Sequence, residues 1–436
     1  MLANRPWKKG LIIALTGLVV LTLFVFISQS NTPSNQKAYR TNTLGKSSTG
    51  TAPQGAIRKM ISVDTWNNIH PFQAFDYYIN TPSAIATVAH TYDVLYDAQL
   101  TNVPAYRANN PNMILTYYIP FHRDFGIFTN NTLIHDLSYW KSLHPDWVVY
   151  KCDRVTPAYQ YGDLNMPLDF TNPNMIAWQV QTYGIPASQN GYDALAPDNV
   201  DFGNWYHACG IYKNGKWVQL YSGQNQDPRW RAGILYWLAH MAAALHGLPH
   251  PIGLIPNLAF GGMSALDPSV LKAVDITDGI LDEGGFTFYG DAFITNNNWV
   301  QHVQLDQYIQ RESKPVYTID NFKAINRPNM QWALASYLMS KDHSSEIYIS
   351  LQQKYGVVNR FNEYNAQIGS PTNSMHHSQN VYWRDYSHGV SIVNPNSRYG
   401  YKVKLKLGVH YVDLYGNRVG PFVSLPPHSG MVLLIA

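Results

Sequence analysis

The residues best suited to chemistry are acids and amides that follow short apolar runs. Asp198 follows Asp193-Ala194-Leu195-Ala196-Pro197, and Glu283 follows Asp278-Gly279-Ile280-Leu281-Asp282. Comparable positions hold Asp64 and Trp66, the stretch Phe121-His122-Arg123-Asp124, Asp201, Asn257 and Asp320-Asn321-Phe322, with Trp205, Phe286, Phe288 and Tyr289 near them in sequence. Two carboxylates flanking a glycosidic bond can cleave it through an oxocarbenium-like transition state. One protonates the leaving oxygen while the other attacks the anomeric carbon or activates a water. Aromatic faces beside them offer an apolar surface to the C–H face of a sugar ring. The pattern predicts an acidic, aromatic-lined cleft for a sugar polymer, with Asp198 and Glu283 as the catalytic pair. Asp64, Trp66, Asp201, Trp205, Asn257, Phe286 and Asp320 are expected to bind or orient substrate.

Two choices stay open at this level. Asp201 competes with Asp198, and Asp282 with Glu283, because neighbouring strand residues point to opposite faces. A lone Asp after a strand is usually a turn-former or helix cap, and a lone Glu a salt-bridged rim residue. The joint occurrence of both, in a chain with only 28 acidic residues, is what singles out the pair.

The elements that must position these groups alternate along the chain. Apolar strand-like runs occur at 57–63, 92–96, 113–119, 192–197, 251–256, 278–281, 314–319 and 346–351. Helical patterns lie between them at 83–90, 132–143, 174–183, 228–246, 267–274, 299–311 and 329–341, with a further one around 353–367. Asp227-Pro228 reads as an N-cap followed by proline at the first helical position, and Gly247 closes the same helix. Eight such units predict an α/β fold, a (β/α)8 TIM barrel over 57–379, whose catalytic groups stand at the carboxyl ends of the strands. An open doubly wound sheet is the alternative, but Val63-Asp64-Thr65-Trp66 is not the glycine-rich turn that fold wants after its first strand. From 380 to 436 the helical period gives way to short runs separated by turns, which predicts a small antiparallel β domain.

The formal charge of +3 hides an asymmetry. Residues 1–59 carry eight of the 31 basic residues and none of the acidic ones, so the remaining 377 residues hold 23 bases against 28 acids, a net charge of −5. An acidic folded part argues against nucleic acid as a partner. After Arg5, Lys8 and Lys9 comes an uncharged apolar run over 11–27, at the short edge of a membrane span. Residues 1–28 are expected to be an uncleaved signal anchor in preference to a cleaved signal peptide, and 29–56 a flexible tether. The expected place is the cell membrane, single-pass with the catalytic domain outside, or secretion if the leader is cleaved. Neither a phosphate-binding glycine loop nor a G-x-S-x-G elbow occurs, and adjacent His376-His377 with His388 make a poor ligand set, so no metal and no cofactor is expected. Cys152 and Cys209 leave a disulfide and two free thiols both open.

The stretch Asn190-Gly191-Tyr192-Asp193-Ala194-Leu195-Ala196-Pro197-Asp198-Asn199-Val200 resembles the strand G-(F/Y)-D-G-hydrophobic-D-N of bacterial glycoside hydrolases. These are the glycosyl-hydrolase-like TIM-barrel families, of the family 15 type, near the polygalactosaminidase-type enzymes. His144-Pro145-Asp146-Trp147, Leu168-Asp169-Phe170-Thr171-Asn172-Pro173 and Asp278 to Phe286 match the same pattern, and Val412 to Gly430 resembles the C-terminal β domain of barrel glycosidases. The resemblance spans nearly all of 57–436. It implies a glycosidase with Asp198 as nucleophile or base and Glu283 as proton donor. The expected mechanism has the Glu283 pKa raised by aromatic neighbours, and the expected substrate is an extracellular or cell-surface polysaccharide. Two further readings share the sequence features. One is a non-catalytic glycan-binding barrel in exopolysaccharide handling, and the other a polysaccharide lyase using His122-Arg123.

Overall fold

The computed structural model describes residues 62–124, 136–160, 166–287 and 292–436. The expected leader and tether, most of the 57–63 run, Phe288 and Tyr289 lie outside the described residues. Among those described, no helix is long and apolar enough to cross a membrane.

Eight parallel strands form the central wall: β1 (Gln73–Phe75), β2 (Val94–Asp97), β3 (Ile114–Pro120), β4 (Ala194–Asp198), β5 (Gly253–Leu254), β6 (Ile280–Asp282), β7 (Val316–Phe322) and β8 (Ser345–Leu351). Strands β1 to β5 pair in sequence order, as do β6 to β8. Two parallel bridges, Asn257 with Leu281 and Pro71 with Ile347, join these two arcs at both seams and close the barrel. Period-2 alternation sends Ala194 and Ala196 of β4, Tyr317 and Ile319 of β7 and Tyr348 of β8 into the barrel interior, where they pack as one buried cluster. The alternate residues face the surrounding helices. Those helices start on chemistry legible in the sequence: Thr81, Asp227, Asp267 and Asn326 each accept a backbone N–H of the first turn, with proline following.

Seven of the eight strands lie where the apolar runs predict them. The first does not. Residues 62–68 form no strand. They cross the amino-terminal end of the barrel, where Thr65 donates its N–H to the His343 carbonyl (3.0 Å) and its hydroxyl to that of Asp342 (2.8 Å). The less apolar Gln73–Phe75 becomes β1 instead, because Phe72 and Ala74 fill the interior beside Val94 and Tyr348. The helix expected around 353–367 is replaced by two short 3-10 turns, Gln352–Lys354 and Asn362–Asn365. Between β4 and the Pro228–His246 helix, Ala208–Lys213 and Lys216–Gln219 form a hairpin against Tyr150–Lys151. Cys152 and Cys209 are bonded to each other there, settling the choice left open above. Closing a loop 57 residues long removes roughly 4 kcal/mol of unfolded-chain entropy in the loop-closure account.

Beyond the barrel, His376–Ser378, Val381–Tyr386, Gly389–Asn394, Ser429–Ile435, Tyr411–Asp413 and Arg418–Val419 form an antiparallel sheet, with Tyr401–Lys404 paired to Phe422–Leu425 beside it. The sheet packs on the Arg327–Ser340 helix, whose residues are buried without a break from Asn329 to Ser340. An all-round apolar helix needs cover on both sides. Here the barrel wall is one side and the sheet the other. Gly430 sits so close that a Cβ on it would come within 2.6 Å of the Ala335 methyl. Arg384 donates to the carbonyls of Leu338 and Met339, both at 3.2 Å, and to that of Lys341, capping the end of the helix with a cation.

Candidate active site

Inward-facing positions at the carboxyl ends of β3 to β6 carry Tyr118, Asp198, Asn257 and Glu283. Asp198 closes β4. One carboxylate oxygen accepts from the Arg123 guanidinium at 3.1 Å, from the Tyr118 phenol and from the Asn199 amide, while the other accepts from Asn257 Nδ2 at 3.0 Å. Asn199 takes φ 55°, a left-handed conformation that asparagine tolerates, and so turns the chain sharply after the acid. Arg123 reaches the site from a two-residue strand paired with Met166–Pro167, and Gln160 accepts a hydrogen bond from its other terminal nitrogen. Charge-assisted bonds of this kind fix a carboxylate's orientation.

Glu283 stands at the end of β6. Its Oε2 accepts from Asn257 Nδ2 at 2.6 Å and its Oε1 from the Tyr355 phenol at 2.8 Å. One amide nitrogen therefore bridges the two acids. Their bridged oxygens lie no farther apart than the sum of 3.0 and 2.6 Å. The turn that follows needs glycine: Gly285 has φ 51°, and a Cβ there would fall 2.6 Å from the Ile319 carbonyl. The parity choice between Asp282 and Glu283 is resolved as strand geometry requires. Glu283 faces the mouth, and Asp282 faces the helix layer, where it pairs with His302.

A second tier of acids lies behind Asp198. Asp97, at the end of β2, accepts from the Tyr77 phenol at 2.5 Å, and Asp76 accepts from Asn102 at 2.8 Å and from the Gln99 N–H at 3.0 Å. Burial pushes the Asp97 carboxyl up to about 7 and that of Asp76 to about 6, against the hydrogen bonds that favour their charged forms. The folded chain thus holds protons that the unfolded chain has already released above its ordinary value of 3.8. Stability contributed by these groups is full below that value and is lost as pH rises through 6 and 7. Asp97→Asn is expected to flatten the upper part of that fall and to raise the unfolding midpoint at pH 8. Thermal melts from pH 4 to pH 8 check this, and an unchanged slope would refute it.

Asp201 and Trp205 lie in the loop after β4 and hold each other: the Trp205 indole donates to the Asp201 carboxylate at 2.9 Å while its ring stays exposed. Burial raises the Asp201 carboxyl to about 6. Neither hydrogen-bonds to Asp198, Asn257 or Glu283. Tyr77 adds a second exposed ring, stacked on Phe75, which in turn meets Tyr355 edge-on at 4.8 Å.

Four expected substrate-binding residues are elsewhere. Asp64 and Trp66 lie at the amino-terminal end of the barrel, where His343 bonds to Asp64 at 3.0 Å and stacks on Trp66 at 4.4 Å. They moved because the first strand did. Phe286 is fully buried among Trp299, Val303 and Trp332. Asp320 is fully buried too. It faces away from the mouth, and its Oδ1 accepts from the Phe286 N–H and the Thr287 hydroxyl. The inward neighbour on that strand is Asn321, which accepts from Ser350. His122, offered above for lyase chemistry, packs between Phe121, Phe170 and Trp230, and burial drives its imidazole down to about 3. Its neighbour Arg123 is committed to Asp198.

One group has the composition of a metal set. Asp282, His302 and Asp306 are all buried, and one ligand atom from each lies within 4.8 Å of the others. Sequence reasoning missed Tyr118, Arg123 and Tyr355 as partners of the two acids, and Asp97 behind them. The signal for Tyr118 was its inward parity on β3, and for Asp97 its place at the end of a strand.

No family model matches the sequence, and no curated relative matches it. Among solved structures the chain is similar to a GH36 alpha-galactosidase from Geobacillus stearothermophilus, at 12% identity and a TM-score of 0.41 over 87% of this chain and 57% of that one. It is also similar to a maltogenic alpha-amylase from Thermotoga neapolitana, at 10% identity and a TM-score of 0.46 over 84% and 98% of the two chains. An alpha-amylase from Malbranchea cinnamomea aligns at 11% identity and a TM-score of 0.40 over 84% and 80%. The chain spans a little over half the length of the galactosidase it resembles.

Proposed function

We propose that this chain is a retaining glycoside hydrolase in which Asp198 is the nucleophile and Glu283 the acid/base. The observation that carries the reading is the Asn257 amide donating to both carboxylates at 3.0 and 2.6 Å. That bridge favours the roughly 5–5.5 Å between acids in retaining enzymes over the roughly 6.5–9.5 Å that leaves room for an attacking water. The roles follow from the surroundings. Arg123 pairs with Asp198 and holds its carboxylate in one orientation, which suits the group that attacks carbon. Glu283, which accepts from the Tyr355 phenol and the Asn257 amide, takes the role of the group that gives up and retrieves a proton.

In the first step Asp198 attacks the anomeric carbon as Glu283 protonates the departing glycosidic oxygen, leaving a glycosyl ester on Asp198. In the second, Glu283 takes a proton from water, which displaces the ester and restores both groups. The exposed rings of Tyr77 and Trp205 suit sugar faces, which favours a polysaccharide as substrate. Action outside the cell, from a membrane anchor or after secretion, belongs to the same proposal and rests on the apolar run 11–27 alone.

The test is hydrolysis of a panel of bacterial polysaccharides by the full-length chain, with the anomer of the nascent reducing end followed by proton NMR. Retained configuration is expected. An inverted first product would overturn the assignment of Asp198 as nucleophile. Binding without cleavage across the panel would replace the enzyme with a glycan-binding barrel.

A further inference from the structure

Helix Asn296–Arg311 covers the outer face of β6 and β7 in three layers. At one level Leu305 and Ile309 share a core with Ile280 and Val316, and at another Trp299 and Val303 share one with Phe286 and Phe322. Between these apolar layers the interface is polar. Asp282 projects from β6, and its register partner on β7, Thr318, lies on the same outward face with Asp320 two residues farther along. From the helix, one turn apart on a single face, come His302 and Asp306.

This layer holds more acceptors than donors. His302 Nε2 donates to Asp282 Oδ2, and the Gly285 N–H donates to Asp282 Oδ1 at 3.0 Å. Asp306 Oδ2, Thr318 Oγ1 and Asp320 Oδ2 are buried with no hydrogen-bond partner, in residues at most 1% exposed. Among the described residues no lysine or arginine pairs with Asp282, Asp306 or Asp320. Three carboxylates thus face one imidazole in a dry interface, where an unpaired ion costs several kcal/mol and a bound cation relieves that cost as a proton would.

We propose that Asp282, His302 and Asp306 bind one first-row divalent cation of the Zn2+ or Mn2+ type. Their ligand atoms already lie within 4.8 Å of one another. Ligands held at roughly 2.0–2.2 Å from one tetrahedral ion are about 3.3–3.6 Å apart, so the longest separation must draw in by about an ångström to complete the set. One imidazole with two carboxylates suits Zn2+ or Mn2+ better than Ca2+, which takes oxygen ligands alone. Asp320 Oδ2 and Thr318 Oγ1 border the set as oxygens that would face the ion's charge. Because all these groups point away from the barrel interior, the cation would be structural. It would fasten the end of β6, where Glu283 emerges, to the helix behind it, and would not touch substrate. The site is independent of the glycosidase reading, since metal content and stability report on it whether or not the protein cleaves a sugar.

The experiment begins with metal analysis of the full-length chain purified without chelator, expected to show about one equivalent of Zn2+ or Mn2+. Chelator-stripped protein is then titrated with Zn2+, Mn2+ and Co2+, following thermal unfolding and the visible bands of Co2+. Added ion is expected to raise the unfolding midpoint, with Asp306→Asn and His302→Gln weakening affinity roughly 100-fold or more. Should either variant fail to fold, the wild-type measurements decide alone. Less than about a tenth of an equivalent, with no shift at millimolar Zn2+, Mn2+ or Co2+, would overturn the site. So would unaltered metal affinity in both variants.

Discussion

Asp198→Ala is expected to lower turnover on the order of 10,000-fold, the scale lost when a group that bonds to the reacting carbon is removed. The loss is distinguishable from misfolding because the deletion leaves room beside Arg123 and Asn257 for a small anion. Azide or formate supplied in solution should restore turnover by attacking the anomeric carbon directly. One displacement replaces two, so the glycosyl azide formed must have the anomeric configuration opposite to that of the substrate. Activity within tenfold of wild type would remove Asp198 from the mechanism. Arg123, buried and paired with Asp198 at 3.1 Å, makes some loss of stability expected as well. For that reason the product's stereochemistry is the decisive readout, not the rate alone.

Glu283→Gln should behave differently, and the contrast separates the two roles. General acid–base catalysis contributes roughly 100- to 10,000-fold, so cleavage of a polysaccharide, whose departing oxygen needs a proton, falls by that order. An aryl glycoside with an acidic phenol leaves without protonation and should form the glycosyl ester on Asp198 at close to the wild-type rate. The ester then accumulates as a burst, since no base remains to activate water. Azide, which needs no deprotonation, should rescue the second step and give a product of retained configuration. Equal losses on both substrates would refute Glu283 as the acid. A rescued product of inverted configuration would exchange the roles of the two residues.

The cluster of Asp198, Asn257 and Glu283 was legible in the sequence because its members share one simple property. Asp198, Asn257 and Glu283 follow short apolar runs, and barrel strands deliver such residues to a common rim. Strand parity also predicted that only one of Asp282 and Glu283 could face that rim. The same rule, applied to β7, would have chosen Asn321 over Asp320, because Tyr317 and Ile319 point inward. Asp64 and Trp66 were misplaced for a different reason. The run at 57–63 is more apolar than Gln73–Phe75, but barrel closure selects residues whose alternate side chains fit the interior, and Phe72 and Ala74 do. Tyr118 reaches Asp198 from mid-strand, Arg123 from a two-residue strand and Tyr355 from a loop just past a 3-10 turn. Strand parity places Tyr118 on the inward face, but Arg123 and Tyr355 join Asp198 and Glu283 only through tertiary packing, which no local period announces. The hairpin at 208–219 was announced: Asn214-Gly215 is a strong two-residue turn signal, hidden in a region read for helices and parallel strands.

The Arg327–Ser340 helix has a consequence for how the polypeptide is made. Twelve consecutive buried residues are covered on one side by β7 and β8, but the other side depends on strands ending at Ile435. Its last carbonyls depend on Arg384. While a ribosome is still translating residues 341–428, the helix has a flank open to water, and the strand that covers it, Ser429–Ile435, emerges only afterwards. The covering of the helix's outer flank is therefore deferred by nearly a hundred residues after that helix has been synthesised. During that interval the nascent chain presents the flank around Gln331, Ala335 and Leu338, which in the folded protein meets Val432, Ser391, Gly430 and Tyr386.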